Sequence, residues 1–162
     1  MTTNHYLVKA LESYPYDLEQ CMESLNYAMA YENNNPITYC LMGRVHLEIF
    51  RDYPAANSYF REALASDVNY METYTYFLEC LLVQADFEEM DKLLAFARKR
   101  KGADHAVLFY SEALRFERKL KFKKALKMLK EGMLLAQSSS FMSDLEDAKR
   151  RIEKKIELKN KN

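Results

Sequence analysis

The sequence predicts an all-α chain built from helix hairpins stacked in series. Three observations predict it. Only three Gly and three Pro occur among 162 residues, too few for the tight turns of a sheet protein, while Leu, Ala, Glu, Lys and Met supply strong helix formers. Apolar residues recur at helical spacing, as in Ala56, Phe60 and Ala63, which share one helix face. That face returns every 34 or 35 residues, and a fixed period of this length belongs to arrays whose units cannot bury their apolar faces alone.

Each unit reads as helix A, turn, helix B. The A stripes are Leu7-Val8-x2-Leu11, Tyr39-x2-Met42-Gly43-x2-His46, Tyr74-x2-Phe77-Leu78-x2-Leu81 and Phe109-x2-Glu112-Ala113-x2-Phe116. The B stripes are Cys21, Leu25, Ala28; then Ala56, Phe60, Ala63; then Met90, Leu94, Ala97; then Ala125, Leu129, Gly132. Small residues on either side of a large one let a neighbouring helix come close while the large side chain fills the groove between them. Three B helices open on Asp (Asp17, Asp52, Asp86), which can accept from free first-turn N–H groups and suits the positive end of the helix dipole. Lys121 stands at the fourth start and departs from that rule.

Asn35-Pro36 opens the second A helix, with Asn as cap and Pro at the first helical position. Pairs one and two hold one extra residue between A and B, near Tyr14-Pro15 and Tyr53-Pro54. Ser138, Ser139 and Ser140 mark a break, and Ser143-x2-Glu146 has capping-box spacing for a last helix. That helix carries Phe141, Leu145, Ala148, Ile152 and Ile156 on one stripe and charge elsewhere, as suits the exposed end of a stack, and is expected to fray after Leu158. The expected divisions are 1–34, 35–69, 70–104 and 105–137 for the pairs and 138–162 for the cap.

Tyr39-x2-Met42-Gly43-x2-His46 followed by Ala56-x3-Phe60-x2-Ala63 resembles the tetratricopeptide repeat (TPR) pattern of a large residue, x2, Leu-Gly, x2, Tyr, then Ala-x3-Phe-x2-Ala. The resemblance covers residues 1–136. The family's Pro after helix B is replaced by Asn33, Val68 and the Lys101-Gly102 region, its Gly between A and B is absent, Glu112 takes an apolar position and Asn4 an aromatic one. The resemblance implies a right-handed α-solenoid of four helix pairs plus the C-terminal capping helix. It also implies a non-catalytic adaptor or small chaperone that holds a peptide segment or helix of another protein along its A helices. Residues just outside the A stripes would line that groove: Tyr6, Lys9, Leu41, Arg44, Tyr76, Glu79 and Tyr110. Family members that grip a chaperone's C-terminal carboxylate use a cationic clamp from these positions. Here only Lys9 fits, while Leu41, Glu72 and Tyr76 stand where polar or cationic residues are wanted, which disfavours that role.

The residues give catalysis little support. His5, His46 and His105 lie in different pairs, no metal-ligand spacing or phosphate-cradling motif occurs, and Glu12, Glu48 and Glu79 read as solvating carboxylates. His46, inside an A stripe, is expected to be packed and hydrogen-bonded. No cofactor is implied. Cys21, Cys40 and Cys80 are widely separated and read as reduced, partly buried thiols. No stretch reaches the roughly 18 apolar residues of a bilayer span, and the N-terminus lacks an export signal, so a cytoplasmic location is expected.

Charge is balanced in total but not in place. Through Leu81 there are four basic and eleven acidic side chains, a net of minus seven, and beyond it twenty and thirteen, a net of plus seven. Arg98, Lys99, Arg100 and Lys101, with Lys121, Lys123, Lys124 and Lys127, give a basic end that offers a second reading: binding of nucleic acid, of an acidic protein surface or of another copy's acidic end. The neutral total disfavours nucleic acid.

Overall fold

The computed structural model describes residues 4–162, and among them every regular element is helical. The chain forms two compact units, Met1–Cys80 and Leu81–Asn162. The first holds α1 (His5–Ser13), α2 (Leu18–Tyr31), α3 (Pro36–Val45), α4 (Tyr53–Ser66) and most of α5 (Glu72–Val83). The second holds α6 (Phe87–Arg98), α7 (His105–Arg118), α8 (Phe122–Leu135) and α9 (Ser139–Asn160).

Within the first unit α1 packs on α2 and α3 on α4. The B stripes are fully buried: Cys21, Leu25, Ala28, Ala56, Phe60 and Ala63 expose none of their surface. Leu25 and Cys21 pack with Ala10, Met42 and Val45 in one core. Phe60 stacks on Phe77 with ring centroids 5.5 Å apart. In the second unit α7 packs on α8, and α9 covers α8. Its core joins Ala113, Ala125 and Leu129 to Leu145, Ala148 and Ile152 of the capping helix.

The Asp caps form as expected. Asp17 accepts from the Gln20 N–H at 3.0 Å, Asp52 from Ala55 at 3.1 Å and Asp86 from Glu89 at 3.2 Å, while Lys121 makes no such bond. Asn4 is not a stripe residue at all: it is buried, caps α1 through the Leu7 N–H (3.1 Å) and donates its amide to the Ala28 carbonyl (3.3 Å).

Three of the four A to B turns use a residue in the left-handed region where the repeat pattern would place Gly. Arg51, Ala85 and Leu120 have φ of 53°, 56° and 57°. After α5 and α7 the turn closes with paired backbone bonds, Asp86 N–H to Leu81 and Ala85 N–H to Leu82, then Lys121 N–H to Phe116 and Leu120 N–H to Glu117. This is the Schellman arrangement, which occupies carbonyls that the helix end leaves free. After α3 the extra residue widens the last turn into a π-turn over His46–Phe50, closed by Asp52 N–H to the His46 carbonyl at 2.9 Å.

Two expectations need correcting. The capping helix starts at Ser139, with the Ser138 hydroxyl accepting from the Phe141 N–H at 3.1 Å, so Ser143 lies inside the helix rather than at its cap. It also continues past Leu158 to Asn160, because the Glu and Lys residues of its end are good helix formers. No helix among the described residues is long and apolar enough to cross a membrane.

Candidate functional site

In the first unit, aromatic and charged side chains gather around Arg44. Arg44 sits in the last turn of α3, half-buried. Its guanidinium lies 4.1 Å from the centroid of the Tyr76 ring on α5 and 5.0 Å from that of Tyr14, just after α1. It pairs with Glu48 one turn ahead (3.4 Å) and with Glu72 at the start of α5 (3.8 Å). Glu48 also accepts from the Tyr14 hydroxyl, and Glu72 from that of Tyr70. The π-turn belongs to this site, since it carries Glu48.

Burial raises the Tyr14 phenol well above its ordinary range, and the bond to Glu48 and that carboxylate's charge add to it. Burial and Glu72 do the same to Tyr70, while at Tyr76 burial outweighs the opposing Arg44 charge. All three phenols stay protonated at neutral pH, and those of Tyr14 and Tyr70 donate to Glu48 and Glu72. Glu79 is exposed, yet desolvation by the surrounding wall and then the Glu48 charge push its carboxyl above the ordinary value, with Arg44 partly offsetting. Beneath lies a cleft of about 10 Å³ lined by Leu11, Cys40, Leu41 and Arg44 among others. That is room for a water-sized group and no more, whereas small-molecule sites run to hundreds of Å³.

Of the residues expected to line the groove, Arg44, Tyr76 and Glu79 come together here. Leu41 is 2% exposed and packs in the α1–α2–α3 core, so it supports the wall from below. Lys9 is exposed on α1. Tyr6 is exposed too, but its ring packs beside Tyr27 and Tyr31 of α2, 5.3 and 6.2 Å between centroids. Tyr110 belongs to the second unit, where it meets Phe141 of the capping helix edge-on at 5.6 Å. Sequence reasoning missed Tyr14, Glu48 as a bonded group, and Tyr70. The signal for the first was the aromatic residue in the interrupted A to B junction of pair one.

The basic residues divide by environment. Arg98 pairs with Glu112 and Arg100 folds over the Phe96 ring at 4.1 Å. Lys99, Lys101, Lys121, Lys123, Lys124 and Lys127 are exposed, with the Lys124 ammonium 5.8 Å from the Phe116 centroid. His46 stacks on Tyr59 (5.1 Å) and meets Phe50 edge-on (5.2 Å). It is packed as expected, but its Nδ1 is buried without a hydrogen-bond partner. Among the described residues no group of His, Cys, Asp and Glu is arranged to hold a metal ion. Compared with known proteins, the sequence matches no family model and no curated protein.

Proposed function

We propose that this chain is a non-catalytic, cytoplasmic interaction module whose helix pairs follow one another as a right-handed TPR-like solenoid. It holds a peptide segment or helix of a partner protein against the wall formed by α1, α3 and α5. The observation that carries this reading is the Arg44 guanidinium held against the Tyr14 and Tyr76 rings and fixed by Glu48 and Glu72. Arg and Tyr are the residue types that dominate binding hot spots, because they offer large contact area and directed donors. Here their rotamers are already fixed by neighbours, so little side-chain entropy is left to lose on binding. A narrower form of the same function is a small chaperone that keeps an extended segment of its partner on this wall.

The test is capture of a partner from the native host by the wild-type chain, followed by calorimetry with the purified partner segment. Arg44→Ala and Tyr76→Ala should each weaken that affinity by about tenfold or more, while Lys123→Glu with Lys124→Glu leaves it unchanged. The reverse pattern would move the function to the basic end.

A further inference from the structure

A concave site lies in the second unit, between the start of α8 and the end of α9. It is a cleft of about 350 Å³, a size that accepts a large side chain together with flanking groups. Leu120, Ile156 and the edge of the largely buried Phe122 are its apolar lining residues. Leu120 is 65% exposed, in the left-handed turn between α7 and α8. Lys121, Lys123, Lys124 and Lys159 also line the cleft, and no carboxylate does. In the adjoining turns of α9, Glu157 pairs with Lys154 (3.3 Å) and Glu153 with Lys149 (3.9 Å). In addition, α8 starts without the Asp cap that α2, α4 and α6 share, so its first-turn N–H groups add to the positive field instead of being met by a side chain.

We propose that this cleft binds an acidic segment of a partner protein by taking up one aromatic or aliphatic side chain flanked by carboxylates. The apolar surface alone would fit many ligands; four cations around it select an anionic one. Nucleic acid fits less well. Base recognition on a single strand needs an open ring face for stacking, and Phe122 is 9% exposed with the Lys159 ammonium 5.8 Å from its centroid. A bilayer fits less well too, since Leu120 is the one apolar lining residue that stands out, while Phe122 is 9% exposed and Ile156 is half-buried, which leaves little apolar surface for insertion. This site is independent of the Arg44 wall, which lies in the first unit, and the fate of one reading leaves the other standing.

The probe is the unlabelled peptide Asp-Glu-Asp-Phe-Asp-Glu-Asp, titrated into the ¹⁵N-labelled full chain and followed by amide shifts. Binding should move the amides of residues 120–124 and 156–160. Replacing the peptide's Phe by Ala should weaken it about tenfold, as loss of a buried anchor does. Lys123→Glu with Lys124→Glu, two exposed positions whose variant is checked for folding by circular dichroism, should weaken it by at least as much. The proposal is overturned if the Ala peptide binds equally well, if the shifts fall elsewhere, or if no binding is seen. It is equally overturned if a single-stranded DNA of equal charge or a phosphatidylserine vesicle competes better than the peptide.

Discussion

Phe60 of α4 lies against Gly43 of α3 so closely that a Cβ on Gly43 would stand 2.5 Å from the Phe60 ring. Real Cβ atoms essentially never come within 3.0 Å of a neighbour, so the missing side chain is what lets the two helices of pair two touch. Phe60 cannot easily yield, being fully buried and stacked on Phe77.

Gly43→Ala should therefore destabilise the protein although Ala is the better helix former. The propensity gain is ~1 kcal/mol, whereas forcing a methyl group into a filled core costs ~1–3 kcal/mol. A lower urea midpoint is expected, with partial recovery when Phe60→Leu is added. An unchanged or higher midpoint would mean that the contact is loose.

Ala85→Gly should do the opposite. Ala85 has φ of 56° and heads a turn whose backbone bonds already fix that conformation. An L-residue held there costs roughly 1 kcal/mol or slightly more, which Gly avoids. The variant should unfold at higher urea by an amount equivalent to about 1 kcal/mol, and Leu120→Gly should shift the same way. A loss of stability in both would contradict the left-handed assignment.

Those two sites show what the chain discloses in advance. The small-large-small stripe announced close helix approach, and Gly43 in the facing A stripe named the contact, because steric fit leaves a periodic trace. The extra residue before Tyr53-Pro54 announced an irregular junction, but a count cannot choose between a longer loop and the π-turn over His46–Phe50. Left-handed Arg51, Ala85 and Leu120 gave no signal, since the backbone there is set by closing bonds and not by side chains. Tyr14 was hidden for a similar reason: it lies outside the stripes, and only the fold brings it to Arg44 and Glu48. The serine run reads as a break and Ser143 as the cap, but the helix starts within that run, where the Ser138 hydroxyl gives the N–H of Phe141 a partner.

Cys40 should be inert toward thiol reagents in the folded protein. Desolvation, and after it the Glu72 charge, push its thiol up to about 12, so almost no thiolate exists at pH values where such reagents are used. Cys21 and Cys80 are fully buried as well. Native protein treated with a chromogenic disulfide reagent should release no colour until denaturant is added. Rapid reaction of even one thiol would show that a core opens readily.

Glu117 governs how the capping helix responds to acid. It is 6% exposed at the end of α7 and accepts from the Arg151 Nε and Nη2 at 2.8 and 2.7 Å and from the Lys155 Nζ at 2.6 Å. Burial by itself would push this carboxyl up, but the hydrogen bonds and charges of Arg151 and Lys155 outweigh it and hold it below the ordinary value of 4.5. A folded-state value below the unfolded one means that the contribution is fully present above the ordinary carboxylate range. It is lost as pH falls through the depressed value, so α9 should hold at neutral pH and loosen only in acid. Glu117→Gln keeps the shape but removes the charge, and should cost about 1.5–3 kcal/mol at neutral pH, the range for a hydrogen bond to a charged group. Because the difference is an ionisation effect, wild type and variant should converge in stability as pH drops below 4.5. Urea unfolding followed across that range, with amide exchange in α9 as the local readout, tests both statements. A difference that stayed constant down to low pH would assign the effect to packing and remove the ion cluster as the clasp of the capping helix.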